Sequence, residues 1–175
     1  MKLRVLKGKR AFGADFIERI LELDKTNMQA ILDESGIEFP EPNRRAGFER
    51  NPTLIVAEAN GKIAGYLEYT RSWTNAEIIY ISSIQIAEKY RHSKLILRLI
   101  DKFIDAVETE NFKGFETNVQ KNNSAVVKLY RKIGFEFEEN PRHAASWRLT
   151  ADRKILSESP VRSLLDKWRK SRRLL

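Results

Sequence analysis

The alternation of hydrophobic and polar positions changes period several times along the chain, and each change predicts an element. Residues 2–7 (KLRVLK) alternate apolar with basic, the two-residue period of an edge strand. From Ala14 the spacing becomes helical, with Phe16, Ile17, Ile20, Leu21 and Leu23 sharing a face. Asp15 lies near the start and Lys25 near the end, as the helix dipole favours. A second short helical stretch is predicted over Asn27 to Asp33. The segment Ser35–Pro52, rich in Pro, Gly and charge, reads as a long loop, either a lid or substrate wall or an ordinary surface connection.

Thr53–Ala59 and Lys62–Thr70 flank Asn60-Gly61, the preferred pair for a tight type I′ turn, so this stretch reads as a hairpin. After a break at Ser72–Asn75, residues 76–87 (AEIIYISSIQIA) are apolar on both faces, which predicts a central strand. Leu95, Leu99, Phe103 and Val107 recur every fourth residue, with Ile96, Ile100 and Ile104 beside them, so a long amphipathic helix follows. A strand at Lys113–Val119 leads to a helix capped by Asn123 or Ser124 and running through Lys132. That helix stops at Gly134, and strands at Phe135–Glu139 and Arg142–Leu149 complete the pattern. The expected fold class is α/β (α+β), a mixed and mainly antiparallel sheet flanked by helices on both faces.

Composition narrows the function. A chain of 175 residues, 42% hydrophobic, suits one domain with a real core. It has no Cys and two His (His92 and His143), which excludes a disulfide scaffold, a cysteine nucleophile, a thiolate metal site and a multi-histidine metal centre. The first residues lack the apolar core of a signal peptide, and no run approaches the roughly 20 apolar residues of a membrane span. A soluble protein of the cytoplasm is expected.

The stretch Ile84–Ile100 (IQIAEKYRHSKLILRLI) passes from a strand through a short polar turn into a helix. Free N–H groups at a helix start, together with the helix dipole, suit phosphate oxygens. Arg91, His92, Ser93 and Lys94 stand at that turn, so this is where a phosphorylated cofactor, if the protein takes one, is expected to bind.

Two local motifs and the element order resemble the GNAT (Gcn5-related N-acetyltransferase) family over roughly residues 3–150. The stretch from Asn123 through Leu129-Tyr130 to Gly134-Phe135 matches the family's asparagine, Leu-Tyr and Gly-Phe at the usual spacing. Ile84-Gln-Ile86-Ala-Glu-Lys-Tyr90-Arg91 matches the strand and arginine that open its pyrophosphate loop. The resemblance implies acetyl-CoA as cosubstrate, its pantetheine arm along the strand of Ile84, Gln85 and Ile86. The diphosphate would lie on the turn of Arg91, His92, Ser93, Lys94, Leu95 and Ile96, with Asn123 ordering its helix and contacting the arm. It implies Tyr130 as general acid to the leaving thiolate, for which a phenol of pKa near 10 is suited. The family's loop has small residues where this chain has Lys94 and Ile96. Glu68, Glu77, Glu58 and His143 are candidates for the general base, and none is assigned.

The chain carries a net charge of +8, and half of it lies in Ser157–Leu175, which has six bases (Arg162, Lys167, Arg169, Lys170, Arg172, Arg173) against two acids. Pro160 starts a predicted helix with Val161, Leu164, Leu165 and Trp168 on one side and bases on the other. The expected organisation is therefore an acyltransferase domain over residues 1–155 and a C-terminal basic amphipathic helix over 156–175. That helix would dock on its own domain, on a second copy as a homodimer, on a membrane surface or on nucleic acid. Three functions follow: transfer of acetyl from acetyl-CoA to a primary amine of a small molecule or protein, a related enzyme acting on charged tRNA, and a GNAT-fold binding module without catalysis.

Overall fold

The computed structural model describes residues 1–158 and 160–172; within these, the side chains of Lys9, Val161, Leu164, Trp168, Ser171 and Arg172 lie outside the described residues. Seven strands form one sheet in the order β1-β2-β3-β4-β5-β7-β6, mainly antiparallel and flanked by helices. Two compact units are distinguished, Met1–Thr70 with Ile81–Val107, and Arg71–Tyr80 with the chain from Glu108.

In the first unit, β1 (Lys2–Lys7) pairs antiparallel with β2 (Thr53–Ala59), and β2 with β3 (Lys62–Arg71). The Asn60-Gly61 turn is as the sequence predicts, with both residues at positive φ (52° and 72°), the requirement of a type I′ turn. Helix α1 (Ala14–Glu34) is a single helix of 21 residues, where the hydrophobic spacing suggested two. No Gly or Pro interrupts it, so the polar stretch around Thr26 and Asn27 costs only propensity. Phe12, Ile20, Leu21, Phe48, Leu54, Val56, Ile63 and Tyr66 form its core against the sheet. The predicted loop 35–52 contains α2 (Glu41–Gly47), with Pro42 in its first turn, and a 3-10 turn at Phe48–Arg50. Proline fits there because a first-turn N–H has no carbonyl partner.

Strand β4 (Ile78–Ile86) is central in the sheet order, as its two apolar faces imply. Its C-terminal part approaches β3 at Gly65, where a Cβ would lie 2.7 Å from the Gln85 carbonyl oxygen, 3.3 Å from Ile86 Cα and 3.2 Å from a methyl of Leu95. Leu95 opens α3 (Leu95–Val107), whose Leu95, Leu99, Phe103, Ile104 and Val107 are buried.

In the second unit, Ile78–Tyr80 of β4 pair in parallel with Gly114–Glu116 of β5 (Gly114–Gln120). Strand β7 (Ser146–Asp152) lies antiparallel between β5 and β6 (Glu136–Glu139). Helix α4 (Ser124–Ile133) follows β5, and its C-cap is Gly134. After a short α5 (Ile155–Glu158), helix α6 (Pro160–Arg172) begins at the expected proline and packs near α4, with Leu165 only 1% exposed. Val161, Leu164 and Trp168, predicted to share its apolar side, are outside the described side chains. Among the described residues no helix is long and apolar enough to cross a membrane, and no group of three or more His, Cys, Asp or Glu could hold a metal ion.

Gly65→Ala is expected to force β3 away from β4 and Leu95, destabilising the protein by roughly 2 kcal/mol. A urea-unfolding midpoint indistinguishable from that of the parent would disprove the steric argument.

Candidate active site

The first unit holds the turn that the sequence marks for phosphate. Residues Glu88–Tyr90 form a 3-10 turn, Arg91 follows in right-handed helical geometry, and α3 starts at Leu95. Helix geometry leaves the first-turn N–H groups without intrahelical acceptors. Ser93 Oγ accepts from Leu95 N at 3.2 Å and donates to the Tyr90 carbonyl at 2.6 Å, so it caps the helix. The N–H groups of Ile96 and Leu97 are next in that array, and the Arg98 N–H is the first to reach back, to the Lys94 carbonyl at 3.2 Å.

The residues fit a diphosphate despite the filled glycine positions. Among the described residues, non-glycine residues at positive φ are Asn51 and Asn60, so neither Lys94 nor Ile96 is in a strained conformation. Ile96 already lies in the first helical turn, where a Cβ is tolerated. Arg91, His92, Ser93 and Lys94 are exposed, and the Leu95 side chain is buried, so Leu95 offers only its backbone. Ile84, Gln85 and Ile86 are half-buried on β4, and the Ile86 carbonyl accepts from Asn27 Nδ2 at 3.1 Å.

The first unit also holds a buried polar cluster. Arg44, from α2, donates through Nε to Asp24 Oδ2 at 2.7 Å and through Nη2 to Glu68 Oε2 at 2.6 Å and Tyr66 OH at 3.1 Å. Tyr66 OH also bonds Asp24 Oδ1 and Ser83 Oγ, and Ser82, which is exposed, hydrogen-bonds the Glu68 carboxylate. Asp24 and Glu68 are 2% and 3% exposed, and their burial pushes both carboxyls above the ordinary carboxylate range, against the opposing pull of Arg44. Burial also pushes the Tyr66 phenol well up, so it stays neutral. Burial of Arg44 works against its charge, but Tyr66, Glu68 and Asp24 together hold the guanidinium protonated. One cation thus serves two carboxyls, and the phenol bonds the cation and one of them, Asp24.

Sequence reading named Glu68 among the bases but missed Asp24, Arg44 and Tyr66. Their partners lie 20 to 42 residues away, beyond any local spacing rule. A cleft of about 690 Å³ between α1 and α2 is lined by Lys25, Gln29, Glu38, Phe39, Glu41, Pro42 and Arg45. Lys25 and Gln29 share one side of α1 and Asn27 projects from the other, so this cleft is separate from the phosphate turn.

The second unit holds Tyr130 and Asn123, both on α4. Asn123 is the N-cap, its side-chain oxygen accepting from Val126 N at 3.3 Å, the helix-ordering part of its expected role. Tyr130 is 5% exposed and stacks edge-to-face on Phe135, ring centroids 4.8 Å apart. Burial pushes its phenol up to about 12, opposed by a hydrogen bond from Thr117 and reinforced by Tyr80. Tyr80 OH in turn accepts from Asn118 Nδ2 at 3.1 Å. Of the base candidates, Glu77 pairs with Lys113 on the surface and Glu58 with Arg4.

A profile of the acetyltransferase (GNAT) family matches residues 17–135. The chain belongs to this family. It is 22% identical over 81 residues to an L-2,4-diaminobutyric acid acetyltransferase of Vibrio parahaemolyticus, covering 46% of this chain and 45% of that protein. It is 27% identical over 105 residues to an N-alpha-acetyltransferase of Sulfurisphaera tokodaii, covering 54% of this chain and 63% of that protein. The chain therefore spans less than two thirds of the length of either relative. Among solved structures, PaiA N-acetyltransferase of Thermoplasma acidophilum, in complex with coenzyme A, superposes with a TM-score of 0.64 at 14% identity. That match covers 87% of this chain and 99% of the other. A GNAT-family acetyltransferase of Staphylococcus aureus gives 0.67 at 14% identity over 86% of this chain and 99% of that one.

The raised carboxyl values set the sign of a pH effect. Between the ordinary glutamate value of 4.5 and its higher value in the folded chain, the folded state binds more protons than the unfolded one. Stability from Glu68 is thus fully present below that window and lost as pH rises through it. Glu68→Gln removes this titration, so variant minus parent unfolding free energy should increase with pH from about 4.5 upward. Parallel curves in urea titrations across that range would show that Glu68 does not titrate as described.

Proposed function

We propose that the protein is an N-acetyltransferase that moves an acetyl group from acetyl-CoA to a primary amine of a small molecule or protein. Family membership supports the reaction class, and the unstrained turn from Arg91 to Ile96, ending in a helix start with open N–H groups, is the observation that carries donor binding. Residues 1–155 would form the acyltransferase domain, with the basic helix α6 (Pro160–Arg172) appended to it. A protein with these features and no candidate membrane span among its described helices suits the cytoplasm.

Acetyl-CoA supplies an activated thioester. Arg91, His92, Ser93 and Lys94 would add side-chain donors to the backbone N–H groups of the turn and hold the diphosphate. Ile84, Gln85 and Ile86 would offer main-chain groups to the pantetheine arm, and Asn123 a polar contact from the cap of α4. The acceptor must be a neutral amine when it attacks the carbonyl, because an alkylammonium has no lone pair. A C–N bond forms as the C–S bond breaks; the nitrogen releases one proton to solvent and the thiolate takes one up, so the products are the acetylated amine and the free thiol of coenzyme A. Tyr130 is our choice for the thiolate's proton: a phenol held near 12 remains protonated throughout the working range.

Calorimetric titration of acetyl-CoA into the protein should give micromolar binding. Arg91→Ala should weaken it roughly ten- to a hundredfold, the value of one charged hydrogen-bonding contact. No binding at millimolar acetyl-CoA would favour the binding module over the enzyme. Once an acceptor is found, Tyr130→Phe should lower kcat about a hundredfold with an unchanged circular dichroism spectrum. Unchanged turnover would remove Tyr130 from the chemistry.

A further inference from the structure

We infer that Asn27, on α1, is a positioning residue for donor binding: it holds Arg91 and the end of β4 in the arrangement that receives the diphosphate of coenzyme A. The inference rests on the donor site proposed above and adds a residue far away in sequence.

The three hydrogen bonds of the Asn27 amide are all directed at that site. Its Oδ1 accepts from Arg91 Nη2 at 2.8 Å. Its Nδ2 donates to Gln85 Oε1 at 2.9 Å and to the Ile86 carbonyl at 3.1 Å. These partners fix the amide orientation, since the guanidinium only donates and the Ile86 carbonyl only accepts. Gln85 is held in turn, its Nε2 donating to Ser83 Oγ at 3.3 Å. The three contacts span 58, 59 and 64 residues of sequence, so they tie α1 to the strand and to the turn at once.

Arg91 is an exposed side chain with several rotatable bonds, and ordering it would oppose ligand binding. Asn27 orders it beforehand through one N–H and leaves the rest of the donor fork available for phosphate oxygens. Asn27 also donates to the Ile86 carbonyl, which keeps a second lone pair, so the last residue of β4 is held by the protein itself. Continuous α1 makes this possible. A break between Lys25 and Asn27, as the hydrophobic spacing suggested, would have uncoupled Asn27 from the packed first half of the helix.

The test is a double-mutant cycle on the affinity for coenzyme A, measured by calorimetry, which needs no acceptor. Asn27→Ala should raise Kd roughly five- to tenfold, the size expected for lost preorganisation of one arginine. In the Arg91→Ala background the same change should do nothing beyond about a factor of two. Asn27→Ala suits a helix, and Asn27→Gln is the second variant should the first fail to fold. Asn27→Gln keeps the amide, displaces its oxygen, and should show the same loss and the same dependence on Arg91. A loss of equal size with and without Arg91, or none in the parent background, overturns the positioning role. If Arg91→Ala itself leaves coenzyme A binding unchanged, the donor site is elsewhere and the reading beneath this inference fails instead.

Discussion

The first unit of the molecule depends on the close approach of β3 to β4 at Gly65. A single carbon atom at that position would press on the main chain of Gln85 and Ile86 and on the side chain of Leu95. Because Leu95 is also the first residue of α3, the space left by a missing Cβ sets where the helix starts relative to the strand. The turn between them, where we propose that the diphosphate binds, inherits its position from that contact. Its own backbone needs no special conformation, which is why Lys94 and Ile96 can stand where the family's loop has smaller residues. Glycine is needed here in the strand beneath the loop rather than in the loop.

Elements whose cause is local were legible in the sequence. The Asn60-Gly61 turn, the Asn123 cap, the Gly134 stop and the Pro160 start each depend on the conformational preference of one or two residues, and each is found where expected. The periodicity of α3 likewise reports its buried face directly. Helix α2 could have been found from Pro40-Glu41-Pro42, a helix-start signal hidden among residues that otherwise read as loop. The continuity of α1 was less accessible. A polar interval at Thr26 and Asn27 looks like a break until its partners on β4 and the turn are known.

The polar cluster around Arg44 could not be read from spacing at all. Asp24, Arg44, Tyr66 and Glu68 come from α1, α2 and β3, and only the fold makes them neighbours. The sequence showed Arg44 as one base in a charged segment. The fold makes it the polar anchor of a short helix that has no buried residue of its own.

That anchor also limits how the chain can change. Removing Arg44 alone strands two carboxyls in the interior, and removing either carboxyl unbalances the remaining ions and a neutral phenol. Each single replacement passes through a less stable intermediate, whereas an exchange of the whole set for apolar residues of similar volume need not. Asp24, Arg44 and Glu68 therefore form one heritable unit spread over 45 positions of the chain, expected to be retained together or lost together in its descendants.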